Sequence, residues 1–165
     1  MRELAQWLQA TSLSETIQSV QWLIPLLQSI HIVTIGVVFV SSLMIALRVL
    51  GRMRADEPFA EVWDRFAPWM WIGLIVLAVT GLTLVIGEPV RELGAVSFWV
   101  KMTLIAIGVA STALLGRSLR PVAIGAPFSV AARSSAAALI VLWLAIIFFG
   151  RAIAYDVEVW GALAQ

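Results

Sequence analysis

A long apolar stretch over residues 21–50, QWLIPLLQSIHIVTIGVVFVSSLMIALRVL, limits the folds open to this chain more than any other feature. A helix rises about 1.5 Å per residue, so roughly 20 apolar residues cross a bilayer core of about 30 Å. Three more apolar runs follow, over residues 66–86, 98–115 and 131–154, and their only charged residues are Lys101, Arg133 and Arg151. The sequence therefore predicts four membrane-spanning helices.

The composition of the chain is that of an integral membrane protein. Of its 165 residues, 61% are hydrophobic and 13% are charged, whereas about 25% are charged in an average soluble domain. We predict an all-α fold, an integral membrane four-helix bundle with a short N-terminal interfacial helix. Residues 1–20 form the amphipathic interfacial segment in this prediction, and residues 21–165 form the four-helix domain. The net charge of +1 gives no reason to expect a nucleic-acid partner.

The N-terminal residues carry two helix signals. Leu4, Trp7 and Leu8 recur at helical spacing, which predicts a short helix at the membrane interface, with a frayed terminus as the alternative. Ser12 followed by Glu15 has capping-box spacing, so a second helix should begin there and run toward Pro25, a residue that marks either a kink or the first turn of the spanning helix. The segment lacks the order of a signal peptide, and we expect it to remain in the mature protein.

The distribution of arginine between the loops predicts the orientation in the membrane. The first and third loops are rich in arginine, whereas the second holds only Arg91. Positive residues are retained on the cytoplasmic side. We therefore predict a multi-pass protein of the bacterial cytoplasmic (inner) membrane with both termini in the periplasm.

His31 is the only histidine of the chain, and it lies well inside the first span. An imidazole at this depth has two ring nitrogens to satisfy and little water nearby, so ionisable residues inside a membrane are candidate functional sites. Two interpretations remain open. His31 either binds a metal or cofactor, or is a neutral imidazole that hydrogen-bonds a neighbouring helix.

Two further basic residues share the outer half of the predicted bundle with His31. Lys101 lies in the first turns of the third span, and Arg151 lies near the end of the fourth. Each side chain either extends to the lipid headgroups or faces a carboxylate. The candidate carboxylates are a haem propionate, Glu88, Glu92 and Asp156. We predict a cofactor site of His31, Lys101 and Arg151, in which His31 is the metal ligand, because an imidazole in a bundle core can ligate haem iron.

Several classes of chemistry lack the residues that they need. The chain has no cysteine, which excludes disulfides, thiolate metal sites and cysteine-attached haem. It also has no phosphate-binding loop, nucleophile elbow or pair of intramembrane carboxylates. Hydrolysis and phosphoryl transfer are therefore not expected.

Short motifs along the chain resemble those of an uncharacterised family of small four-helix bacterial membrane proteins: WLIPLLQSIH with Gly36 after it, ALRVLG, TGL from Thr80, FWVK ending at Lys101, and GRAIAY from Gly150. More loosely, the chain is similar to copper-resistance D type and protoporphyrinogen-oxidase-like membrane proteins, in which a first-helix histidine and a lysine of a later helix are associated with b-type haem. This resemblance implies that His31 and Lys101 form a haem b site. The third helix has no second histidine, so one chain cannot supply two histidine ligands.

Three functions follow as expectations. The first is a haem b-binding or redox-accessory protein that passes electrons between the quinone pool and a periplasmic partner. The second is a cofactor-free structural subunit or membrane anchor, in which small residues pack the helices and His31 only bonds a neighbour. The third is a copper-handling or small-molecule permease, although four spans offer no charged pathway through the inner half. The partners expected besides the lipid bilayer are a quinone and a homo-oligomer or larger membrane complex.

Overall fold

The computed structural model describes residues 2–122 and 126–161, and the regular structure within these ranges is entirely helical. In chain order the α-helices are α1 (Arg2–Gln9), α2 (Ser12–Ser19), α3 (Leu23–Val49), α4 (Phe59–Gly87), α5 (Pro89–Gly94), α6 (Val96–Leu119), α7 (Val130–Ala152) and α8 (Asp156–Trp160), and a 3-10 turn, Ile153–Tyr155, joins the last two. Within the described residues, four helices, α3, α4, α6 and α7 with its extension, are long and apolar enough to span a membrane. The chain is a multi-pass membrane protein with the predicted all-α fold. Residues 123–125 and 162–165 of the predicted four-helix domain, and residue 1 of the predicted interfacial segment, lie outside the described ranges.

Several helices extend beyond the apolar runs of the sequence. Helix α4 begins at Phe59, and the predicted span over residues 66–86 is its apolar part, because hydropathy marks only the apolar part of a helix. The connection between α4 and α6, predicted as a loop, contains α5, which begins with Pro89 in the first turn where its missing N–H is not needed. Helix α6 likewise extends past residue 115 to Leu119.

The predicted cap of the second N-terminal helix is wrong by one residue. Thr11 is the cap, since its backbone is extended and its side chain accepts a hydrogen bond from the Ser14 N–H, while Ser12 already lies in the helix. Helix α2 then ends at Ser19 instead of running toward Pro25, because Val20 is extended. Pro25 lies in the first turn of α3, which is the second of the two positions that the sequence allowed.

The four long helices form a bundle in which some neighbouring pairs pack more extensively than others. Helix α3 packs along α4 and also against α7, and α6 packs against α7, whereas α4 and α6 make few contacts with each other. Helices α1 and α2 pack against α5 and α4, and α8 contacts α6, all at the same end of the bundle. We call this the terminal end, and it is the end at which α3 and α7 place His31 and Arg151.

Buried apolar side chains form three clusters along the bundle. One lies at the end remote from the termini and includes Ile45, Phe59 and Leu115. A second lies in the middle, around Val38, Met70, Trp143 and Ile146. The third, at the terminal end, is formed by Ala95, Phe98 and Ile153. The candidate site lies between the second and the third cluster.

Candidate cofactor site

His31 lies on the face of α3 that is turned toward the other helices. Val38 and Ile45 follow it at intervals of seven residues and are each 1% exposed. Residues seven apart in a helix lie on nearly the same face, so the imidazole belongs to the same inward stripe. His31 itself is only half-buried. The helices are therefore less closely packed around His31 than around Val38.

Thr80 of α4 determines how the His31 ring is held. The Thr80 hydroxyl donates its proton to the Val76 carbonyl, 2.8 Å away, and the same oxygen lies 2.7 Å from Nδ1 of His31. Because the hydroxyl has only one proton, donation to Val76 leaves its oxygen as the acceptor for His31, and we assign the tautomer with its proton on Nδ1 from this arrangement. Nε2 then has a free lone pair, and it makes no hydrogen bond to a residue that the structure describes.

Gly81, beside Thr80, makes room for the imidazole. A Cβ placed on this glycine would lie 3.4 Å from Cε1 of His31. This is van der Waals distance, so the ring lies directly against the backbone of α4 at Gly81, and a side chain that extends beyond Cβ toward the ring would meet it. The motif TGL thus supplies both an acceptor for the histidine and the space for its ring.

Lys101 of α6 lies near the same end of the bundle as His31. Gly108 and Leu115, which follow at intervals of seven residues, are buried, so the lysine lies on the inward stripe of its helix. A Cβ on Gly150 of α7 would lie 3.5 Å from Cδ of Lys101, so the lysine stem crosses α7 at a residue without a side chain. We call His31, Gly81, Lys101 and Gly150 the His31 layer.

Arg151, the third predicted site residue, lies outside this layer. Its side chain is exposed, its guanidinium donates to the Tyr155 hydroxyl at 3.3 Å, and its Cζ lies 5.3 Å from the centre of the Tyr155 ring. The protein carboxylates considered for it have other partners. Glu88 and Glu92 pair with Arg91, and Asp156 accepts hydrogen bonds from the backbone of α6. The structure thus places His31 and Lys101 on the inward stripes of α3 and α6, whereas Arg151 lies on the exposed surface.

Sequence reasoning missed three contributors to this layer. Thr80, Gly81 and Gly150 entered only as members of the motifs TGL and GRAIAY. Lys101, which the sequence did indicate, carries a further signal, since it is the only lysine among the 11 lysine and arginine residues. Arginine fills every other basic position, so the single lysine, inside a span, is as unusual as the single histidine.

The described residues contain no group of three or more histidine, cysteine, aspartate or glutamate side chains placed to hold a metal ion. What the His31 layer offers is one oriented imidazole and one amine. Haem iron takes four nitrogens from the porphyrin and needs only axial ligands from the protein. The imidazole and the amine are groups of the kind that serve as axial ligands, and the two glycines are in van der Waals contact with the side chains that carry them.

Comparison with protein families gives one match. A family model described as a family of unknown function, DUF6644, matches residues 13–156. The chain belongs to this family. The DUF6644 match includes all four spanning helices and every residue of the His31 layer, and it confirms the prediction of an uncharacterised family. No curated protein and no solved structure matches the chain. The looser resemblance to haem-binding membrane proteins is not shown by these comparisons, so the haem site stays a prediction.

Proposed function

We propose that this DUF6644 protein binds haem b through Nε2 of His31 and serves as a redox-accessory protein of a bacterial cytoplasmic membrane. The observation that supports the proposal is the chain of hydrogen bonds from His31 Nδ1 through the Thr80 hydroxyl to the Val76 carbonyl. Metal-binding histidines usually donate their other ring N–H to an acceptor that fixes both the ring and the tautomer. Thr80 performs that role here.

The residues of the layer have distinct parts in the proposal. His31 would bind the haem iron, Thr80 would orient the imidazole, and Gly81 would let the ring lie close to α4. Lys101 would supply either a cation for a propionate or, when deprotonated, a second nitrogen ligand. When bound, haem b supplies one-electron transfer, which suits a carrier between the quinone pool and a periplasmic partner.

A cofactor-free structural subunit is the second candidate, and the same hydrogen bond is the observation that favours it. A neutral histidine that only joins two helices would also bond Thr80. The two functions differ at Nε2, which has a role only if a ligand binds there.

The first test is an absorption spectrum of the protein purified in mild detergent from cells supplied with haem. We expect a Soret band that is lost in His31→Ala. Thr80→Val keeps the shape of the residue but removes the acceptor, and it should weaken haem binding roughly 10- to 100-fold. Thr80→Ser keeps the hydroxyl and is the matched control, with haem binding close to that of the unaltered protein.

Two results would contradict the haem proposal. One is the absence of a Soret band from the folded, unaltered protein. The other is a band that His31→Ala leaves unchanged. A folded His31→Gln variant that still co-purifies with the same partner subunit, without any prosthetic group, would instead support the structural subunit.

A further inference from the structure

We propose that Asp156 is a positioning residue. It holds the first turns of α6 against the α7–α8 corner, which we define as residues 150–160, and thereby sets the position of Lys101. The proposal rests on the proposed function only in giving Lys101 a role at the cofactor site. The contacts of Asp156 with α6 stand independently of any cofactor.

The carboxylate of Asp156 caps α6 from a distant part of the chain. Its Oδ2 accepts the Val96 N–H at 2.9 Å, and its Oδ1 accepts the Ser97 N–H at 2.8 Å. The first N–H groups of a helix have no acceptor within the helix. Ala95, at the cap position of α6, has no side-chain oxygen to offer. An aspartate 60 residues later supplies the missing acceptors, and its charge lies at the positive end of the helix dipole.

Trp160 adds a second contact between the same two segments. Its indole Nε1–H donates to the Ser97 hydroxyl at 2.8 Å, and its ring stacks on Phe149 with the ring centres 6.1 Å apart. Ser97 has no exposed surface. Both its backbone and its side chain are therefore bound by the segment that follows α7.

Lys101 lies one helical turn after Ser97 in α6, so a shift of Ser97 also moves Lys101. Residues four apart lie one above the other on a helix, so Lys101 follows directly below Ser97 on the same face. The segment that follows α7 binds Ser97 through Asp156 and Trp160, and Gly150 of α7 lies against the Lys101 stem. Loss of the Asp156 contacts should therefore loosen the turn that carries the lysine.

Because the chain contains a single lysine, its position can be followed chemically. We would measure the rate at which a membrane-permeant N-hydroxysuccinimide ester acylates Lys101 at constant pH, by mass spectrometry of the intact full-length protein and its peptides. Removing a helix cap changes a local equilibrium about 5- to 30-fold. We expect Asp156→Ala to raise the acylation rate by about that factor and Asp156→Asn, which keeps one acceptor oxygen, to raise it less.

Glu158→Gln is the matched control, since Glu158 lies on the same short helix, is exposed, and makes no hydrogen bond or ion pair within the described residues. It should leave the rate unchanged. Equal acylation rates in all three variants and the unaltered protein would overturn the proposal.

Hydrogen–deuterium exchange separates positioning from general stabilisation. The proposal expects Asp156→Ala to increase exchange in the first turns of α6 and not in α3 or at the far end of α6. Increased exchange of equal size throughout the bundle would overturn the positioning role and leave Asp156 as a cap that stabilises the whole fold.

Neither measurement needs haem, so the two proposals can fail separately. If the unaltered protein has no Soret band but Asp156→Ala still exposes Lys101, the positioning role stands and the haem function does not. If the protein binds haem, the Soret maximum or the midpoint potential should shift in Asp156→Ala and not in Glu158→Gln.

Discussion

Trp143 and Trp160 differ in whether the indole N–H has a hydrogen-bond acceptor among the described residues. Trp143 is 4% exposed in the middle cluster, and its Nε1 has no hydrogen-bond partner among the described residues. Trp160 donates to Ser97. A buried donor without an acceptor costs about 1–3 kcal/mol, so the two side chains contribute differently to the free energy of unfolding.

We expect Trp143→Phe to change that free energy by less than about 1 kcal/mol. Removal of the unpaired donor offsets much of the loss of packing volume. Trp160→Phe loses a hydrogen bond as well as volume and should cost about 1–2 kcal/mol. Unfolding in mixed micelles would measure both. A larger loss in Trp143→Phe than in Trp160→Phe would mean that the Trp143 N–H has a bound partner.

Arg151 is the site residue whose expected role changes most at this scale. The sequence suggested that it binds a carboxylate. Its guanidinium instead donates a hydrogen bond to the Tyr155 hydroxyl and lies over the Tyr155 ring. We expect Arg151→Lys to lower stability by about 0.5–1 kcal/mol through loss of this contact, without a change in haem occupancy. Arg120→Lys, at the exposed pair with Asp64, is the comparison. Haem lost from the Arg151 variant alone would restore the propionate clamp.

At the scale of elements, glycines decide how closely the helices approach. A Cβ on Gly116 of α6 would lie 2.1 Å from the ring of Trp63 on α4, so these helices touch where an aromatic ring covers a glycine. Trp63 therefore packs between α4 and α6. Gly36 of α3, in contrast, has nothing within 4 Å of its Cβ position.

Alanine substitution at these two glycines should have opposite effects. Gly116→Ala forces the Trp63 ring to move and should cost about 1–3 kcal/mol, the usual range for overpacking. Gly36→Ala meets open space and should stabilise the helix by roughly 0.5–1 kcal/mol. Both can be measured by the same unfolding assay. If Gly36→Ala destabilised the protein, the face of α3 that carries it would have to be in contact with another chain.

At the scale of the whole molecule, the bundle has two chemically different ends. The terminal end holds α1, α2, α5 and α8, and the opposite end holds the arginine-rich loops. The predicted orientation places the terminal end, and with it the His31 layer, on the periplasmic side.

The absence of cysteine makes this orientation testable with single introduced cysteines. Gln6 and Ala55 are exposed at opposite ends. In intact cells with a permeable outer membrane, we expect an impermeant maleimide to label Gln6→Cys. It should label Ala55→Cys only after the inner membrane is opened. The reverse pattern would place both termini and the His31 layer on the cytoplasmic side.

The sequence by itself determined the fold class and the number of spans. Hydropathy over about 20 residues is a local property, and lipid leaves helices or closed barrels as the only spanning structures. It also singled out His31 and Lys101, because an ionisable residue in an apolar run is visible without any contact. It did not determine where α4 begins or that α5 exists, since polar helical turns outside the bilayer carry no hydropathy signal.

Only the tertiary structure decided which residues meet in the His31 layer. Thr80 lies 49 residues from His31, and Asp156 lies 60 residues from the amide that it caps. Such pairs depend on which helices are neighbours and how each is rotated, and no local pattern contains that information. Gly150 and Arg151 illustrate the point. They are adjacent in sequence, yet successive residues of a helix are about 100° apart, so packing against α6 places the glycine beside Lys101 and leaves the arginine outside.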